Sequence, residues 1–143
     1  MSKMSFEDVA KPIVKQPTVP FSEGFPISSL YRFLKDHPKL KHTKDVYGNI
    51  FVKYDGTTSS KFPRTILTAH LDHPGFRWIE DIDSKTSLFG IYGGINKNLL
   101  INQPVRVYNP LSEKSRRSIR GTINKVHNFN NSRSNVEVSF PSK

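Results

Sequence analysis

Apolar positions near the N-terminus predict one amphipathic helix. Pro26 is tolerated only within the first turn of a helix, and Pro38 ends it, so the helix is predicted over residues 23–36. Its apolar face has the spacing i, i+3, i+4 and i+7. The residues on that face are Ile27, Leu30, Tyr31 and Leu34. Residues 1–21 contain three prolines and no helical period, so we expect an extended lead-in there.

The next two patterns are typical of strands. In residues 45–56, DVYGNIFVKYDG, the Gly48-Asn49 pair supplies the backbone freedom for a tight turn between two strands. Residues 65–69, TILTA, are short and continuously apolar, which predicts a strand buried on both faces of an α/β sheet. His70 would then lie at a strand end, where ligands bind in open α/β sheets.

After residue 76 the pattern changes to short alternating segments separated by turn residues every eight to twelve positions. That spacing predicts a small all-β barrel or sandwich. The five segments are FRWIEDI, SLFGIYGG, QPVRVYN, RGTINKVHNF and NVEVSF. The predicted fold is therefore part of an α/β domain over residues 1–75, followed by a small all-β barrel over residues 76–143.

Charge and composition narrow the function classes. The 143 residues carry a formal net charge of +10, and residues 84–143 hold 10 of the 22 basic residues but only 2 of the 12 acidic ones. A basic half indicates a polyanion partner, a solvated surface, or a surface facing an acidic region of a longer polypeptide. Without cysteine the chain has no disulfides or thiolate metal ligands, so a metal would need histidine and carboxylate ligands. No apolar run is long enough for a membrane span or a secretory signal, so we expect a soluble, cytoplasmic protein.

The candidate chemistry is at His70 and Asp72. Residues i and i+2 of a strand face the same side, so the carboxylate can take the proton from one imidazole nitrogen and leave the other nitrogen free to bind a metal. A bare His-x-Asp is more often a surface or capping pair, so its sequence context decides how it is interpreted.

Five stretches of the chain, in this order, resemble co-catalytic di-zinc aminopeptidases of the glutamyl and tetrahedral type. The stretches are PTVPFSEGFPISSLYRFL, DVYGNIFVKY, PRTILTAHLDHPGF, GGINKNLLINQPVRVY and RGTINKV, within residues 16–140. The resemblance implies that His70 is a zinc ligand and that Asp72, a catalytic residue, orients it. It also implies that Gly75 leads out of the α/β catalytic domain and that Gly93-Gly94 belongs to an inserted β-barrel. The family often has an acidic residue where this chain has His73, which we do not take as a ligand.

By the same resemblance, the complete enzyme binds two zinc ions, with cobalt or manganese as substitutes, and removes N-terminal residues from peptides. Its barrel would mediate homo-oligomerisation. The family's bridging aspartate, general-base glutamate and remaining ligands lie downstream of the barrel, whereas the last residues here are VEVSFPSK. We therefore expect this chain to be the N-terminal portion of the enzyme, to bind zinc weakly or not at all, and to be inactive alone.

The alternative is a basic β-barrel module that binds single-stranded nucleic acid. Its aromatic residues would stack on bases, and its charge would attract the backbone. Those aromatic residues are Phe76, Trp78, Phe89, Tyr92 and Phe129. This reading leaves the helix and the His70 segment unexplained, so nucleic acid is the less favoured partner.

Other polar groups have simpler interpretations. His37 and His42 flank the helix end and are expected to be solvated or capping, and His127 is expected to be exposed. The acidic group Glu80, Asp81 and Asp83 is expected to be a solvated turn rather than a cation site. Residues 113–120, EKSRRSIR, predict an exposed hairpin, with polyanion contact as the alternative.

Overall fold

The chain is described here from a computed structural model, which covers residues 5–54, 65–109, 117–128 and 134–141. It divides into two compact units. The first consists of Met1–Gln16 and Pro26–His70, and the second of Pro17–Phe25 and Leu71–Lys143. The described residues form a mostly β structure with two short α-helices. No helix in this part of the chain is long and apolar enough to cross a membrane.

The first helix, α1, spans Phe6–Val14. The prediction of an extended lead-in over residues 1–21 is therefore wrong for this segment. A capping box explains the helix: the Ser5 hydroxyl accepts the Asp8 N–H at 3.2 Å, and the Asp8 carboxylate accepts the Ser5 N–H at 3.1 Å. These bonds satisfy backbone donors that a helix N-terminus otherwise leaves unpaired, and α1 forms although Pro12 lies inside it.

Helix α2 spans Gly24–Lys35, as the apolar spacing predicts. Leu34, the last residue of the apolar stripe, is only 2% exposed. After the helix, His37 Nδ1 lies 2.8 Å from the Phe33 carbonyl oxygen, and the two rings stack with their centroids 4.1 Å apart. This contact confirms capping, one of the two alternatives expected for His37.

Strands β1 (Leu40–Lys44) and β2 (Ile50–Tyr54) pair as an antiparallel hairpin. The predicted hairpin is confirmed, although its first strand ends before Asp45 instead of starting there. The Asp45 carboxylate accepts backbone N–H groups of Tyr47 and Asn49 at 2.9 and 2.8 Å, and the Asn49 side-chain amide at 2.8 Å. Gly48 has φ of +95°, the left-handed conformation that glycine adopts without strain.

The apolar run at residues 65–69 is not a buried strand. It has no regular secondary structure, and Ile66 and Leu67 are 85% and 91% exposed. A strand needs a hydrogen-bonding neighbour, and among the described residues β2 pairs only with β1. The expectation that His70 follows a strand is wrong for the same reason.

The second unit contains a five-stranded antiparallel sheet with the strand order β3-β4-β7-β6-β5. Its strands are β3 (Gly75–Asp81), β4 (Thr86–Tyr92), β5 (Pro104–Tyr108), β6 (Ser118–Asn128) and β7 (Ser134–Ser139). Each overlaps a segment that the alternating pattern predicts to be a strand. The all-β prediction for residues 76–143 is thus confirmed at the level of a curled half-barrel sheet.

The core of the described part of this unit lies against the five-stranded sheet. Six buried hydrophobic side chains form it: Phe89, Leu100, Ile123, Val136, Val138 and Phe140. Gly121 faces them from β6, where a Cβ would lie 2.5 Å from Val138 Cγ1. Only a residue without a side chain lets β6 approach β7 and Phe140 this closely.

Candidate functional site

His70 and Asp72 both lie in the segment that precedes β3. This segment has no regular secondary structure; the His70 side chain is exposed, and that of Asp72 is half-buried. The boundary between the two compact units falls between His70 and Leu71, so the two candidate residues belong to different units. Because this segment is not a strand, the strand geometry that was expected to place both side chains on one face does not apply to it.

Zinc in a catalytic site normally has three protein ligands together with a water molecule. Imidazole and carboxylate are suitable donors, and His70 and Asp72 supply one of each. Across the described ranges, no group of three or more His, Asp or Glu side chains is placed to hold a metal ion. The described part of the chain therefore does not complete a zinc site. His73 is also exposed and does not belong to any group of three potential ligands among the described residues.

One member of the acidic group at the end of β3, Asp83, organises the turn into β4. The Asp83 carboxylate accepts the backbone N–H groups of Lys85 and Thr86, both at 2.7 Å. Aspartate side chains commonly stabilise turns by such bonds to the residues that follow. The exposed-turn interpretation is therefore confirmed at Asp83.

Asp81 has a different role, which the sequence pattern does not reveal. Its Oδ1 accepts the Ser87 hydroxyl at 2.5 Å and the Trp78 indole N–H at 3.3 Å. Ser87 is 2% exposed, so its hydroxyl needs a partner within the protein. Asp81 supplies that partner and ties the two strands of the β3–β4 hairpin together.

These residues form one wall of a pocket of about 280 Å³ against the sheet. It is lined by Trp78, Asp81, Ser87, Phe89, Val107, Ile119 and Phe140. Strands β3 and β5 are at opposite ends of the strand order, yet both contribute, because the sheet curls. Trp78 and Ile119 remain 60% and 50% exposed, so an apolar rim faces solvent.

His127 is half-buried, which corrects the expectation that it is exposed. Its Nε2 lies 2.6 Å from Glu137 Oε1, and Lys125 Nζ lies 3.7 Å from the same oxygen. Lys125 and Glu137 are direct cross-strand partners, and His127 lies two residues further along β6. Sequence alone does not reveal this cluster, because the register between β6 and β7 brings the three side chains together.

The four described aromatic residues of the nucleic-acid alternative do not form one stacking surface. Phe89 is 3% exposed within the core, and Phe76 packs against that core, whereas Trp78 is exposed. The Tyr92 ring lies beneath the Arg77 guanidinium, whose Cζ is 5.5 Å from the ring centroid. Phe129 lies outside the described residues.

We compared the chain with protein-family models, with curated proteins and with solved structures, and none of the three comparisons found a match.

Proposed function

We propose that this chain is the N-terminal portion of a cytoplasmic zinc-dependent aminopeptidase, with peptides as substrates. Residues 1–75 would belong to its α/β catalytic domain, and residues 76–143 to an inserted β-barrel that mediates homo-oligomerisation. The ordered series of motifs from PTVPFSEGFPISSLYRFL to RGTINKV is the basis of the family assignment.

The observation that best supports the proposal is the exposed apolar surface beside His70. Ile66 and Leu67 project into solvent at 85% and 91% exposure, directly before the His-Leu-Asp segment. The hairpin of the same unit also exposes Phe51 and Tyr54, at 59% and 70%. Apolar side chains that are exposed in this chain would be covered by another element of a complete domain. In the proposed enzyme, the rest of the α/β domain covers these side chains.

The second unit also supports the proposal. Its curled antiparallel sheet begins at Gly75, soon after the proposed zinc histidine, where the family has its inserted barrel. Gly93 has φ of +81°, and a Cβ there would lie 2.9 Å from Pro74 Cα, so the start of β3 and the end of β4 require a glycine at this point. The chain thus enters the β-rich unit at a defined point, soon after His70, and this is consistent with an inserted domain.

Zinc fits the donor types at His70 and Asp72, although the remaining ligands would come from residues beyond those described. When bound, the metal ions would lower the pKa of a water molecule and polarise the scissile carbonyl. The role of this chain would be to present the His70 imidazole, with the Asp72 carboxylate accepting the N–H of the other ring nitrogen. That bond would fix the tautomer of His70 and the orientation of its ring.

Substitution of His70 in the full-length enzyme tests the site. His70→Ala should abolish peptidase activity and lower the zinc content while the melting temperature changes little, because the side chain is exposed. Asp72→Asn should weaken zinc affinity or activity about 10- to 100-fold. His73→Ala is the matched control, an exposed histidine three residues from His70 that should keep full activity. Near-normal activity in His70→Ala would refute the site.

The 143-residue chain alone provides a second test. It should bind zinc weakly and should not hydrolyse amino-acid anilides at any added zinc or cobalt concentration. Its exposed apolar surface should produce oligomers on a sizing column. Turnover that a chelator abolishes and metal restores would show that the chain completes a site by itself, and would contradict the proposal that most of the ligands lie elsewhere.

A further inference from the structure

Strands β5 and β6 place two arginines directly opposite each other. The register pairs Arg106 with Arg120, and directly opposite residues of an antiparallel pair share one face of the sheet. Val105 and Val107, the neighbours of Arg106 in β5, pack against the core. Both arginines therefore lie on the outer face of the sheet, and both are exposed.

Like charges directly opposite in a sheet repel each other and destabilise the pairing. The neighbouring pair of strands avoids this problem, because Lys125 of β6 is opposite Glu137 of β7. Within the described ranges, Arg106 and Arg120 have no ion pair or hydrogen bond from their side chains. Among the described residues, β6 thus contributes to one cross-strand pair of opposite charges and to one pair of cations without an anion.

The surroundings of the arginine pair are rich in hydrogen-bond donors. On the same face, Tyr108 is opposite Ser118 on one side of the pair, and Pro104 is opposite Thr122 on the other. Three residues with hydroxyl groups therefore flank the two arginines along the strands, and neither strand places a carboxylate among these six positions. Strand β5 is an edge strand of the sheet in the described part of the chain, so this face can be approached from the side.

We propose that Arg106 and Arg120 form a binding site for a phosphate group. Each guanidinium presents a planar fork of N–H donors, and one fork occupies both oxygens of a carboxylate. A tetrahedral phosphate has enough oxygens to accept from two forks at once, and its two negative charges match the two cations. The inference concerns the β-rich unit alone and does not depend on the proposed peptidase activity.

The test measures phosphate binding by the 143-residue chain with calorimetry and thermal unfolding, at constant ionic strength. Arg106→Gln and Arg120→Gln should each weaken phosphate binding about tenfold or more, because each removes a charged pair of hydrogen bonds. Lys85→Gln is the matched control, since it removes one positive charge from the exposed β3–β4 turn of the same unit. Phosphate also stabilises proteins by exclusion from their surfaces, and that effect should be equal in all variants.

Arg120→Glu separates loss of the site from loss of the fold. It gives Arg106 an opposite charge, as in the Lys125–Glu137 pair, so the variant should melt at or above the parent temperature and no longer bind phosphate. Absence of binding by the parent, equal losses in Lys85→Gln and Arg106→Gln, or undiminished binding in Arg120→Glu would each overturn the proposal.

A short single-stranded oligonucleotide distinguishes two sources of the phosphate. Affinity at least tenfold above that of inorganic phosphate, falling steeply with salt, would identify a nucleic-acid backbone. Similar affinities would identify a small phosphorylated ligand. In both cases the binding must be lost in the Arg106 and Arg120 variants and retained in Lys85→Gln, otherwise the site is refuted.

Discussion

Gly121 is the position where one added methyl group should most disturb the β-rich unit. In Gly121→Ala, the new Cβ would lie 2.5 Å from Val138 Cγ1, and 2.9 Å from both Phe140 Cε1 and the Ser139 carbonyl oxygen. Carbon atoms in contact prefer separations of about 3.5–4.0 Å. Val138 and Phe140 are 1% and 5% exposed, so neither can move into solvent to relieve the overlap.

Two effects of opposite sign determine how much Gly121→Ala lowers the free energy of unfolding. Overpacking of a filled core costs about 1–3 kcal/mol, and the short distance to a fully buried neighbour places Gly121→Ala in the upper part of that range. Alanine also reduces the conformational freedom of the unfolded chain, which stabilises the folded state by about 0.4–1 kcal/mol. The net loss should therefore be about 1–2 kcal/mol. Each 1 kcal/mol lowers the melting temperature of a domain this size by about 4–8 °C, so the expected drop is roughly 5–15 °C.

The assay is thermal unfolding followed by circular dichroism, with Gly94→Ala as the control, since a Cβ at Gly94 meets no atom within 4 Å. The double variant Gly121→Ala/Val138→Ala removes the methyl group in closest contact, so its loss should be smaller than the sum of the two single losses. A Gly121→Ala protein that melts within about 2 °C of the parent would refute the packing argument.

Two further predictions follow from individual residues. Gly93→Ala should lower the melting temperature, whereas Gly94→Ala should not. The reason is that Gly93 has φ of +81° and a Cβ there would lie 2.9 Å from Pro74 Cα. Equal melting temperatures for the two variants would contradict this prediction. The hydrogen bond from the Asn49 side chain, together with backbone N–H groups of the turn, lowers the pKa of Asp45 below its usual range. A carboxyl group whose pKa is lower in the folded than in the unfolded state stabilises the fold at pH values above its unfolded-state pKa. This stabilisation is lost as the pH falls through the folded-state pKa, so the β1–β2 turn should loosen below about pH 4. Carboxyl NMR titration checks this, and an Asp45 pKa that does not rise in Asn49→Ala would argue against the cause.

Local sequence patterns determined much of the secondary structure. The spacing of apolar residues placed α2 within one residue at each end, and turn residues marked the β1–β2 hairpin and all five strands after residue 74. These features depend on interactions between residues close in sequence: the helical period, the strand alternation and the conformations of Gly and Pro. The chemistry attached to His70 and Asp72 came from resemblance, and it remains a prediction.

Local patterns failed where a residue depends on distant partners. The apolar run containing Ile66 and Leu67 has the pattern of a buried strand. A strand forms only beside another strand, however, and the pattern of five residues does not reveal whether that neighbour is present.

The tertiary structure also decided which residues of the β-rich unit act together. Phe89 and Trp78 are direct cross-strand neighbours, yet one is 3% and the other 60% exposed, because β4 lies between two strands whereas β3 is at the edge of the described sheet. Register alone places Arg106 opposite Arg120 and Lys125 opposite Glu137. A shift of the register by one residue would turn every side chain of a strand to the other face. The register is determined by packing of the whole core, which involves residues far apart in the sequence.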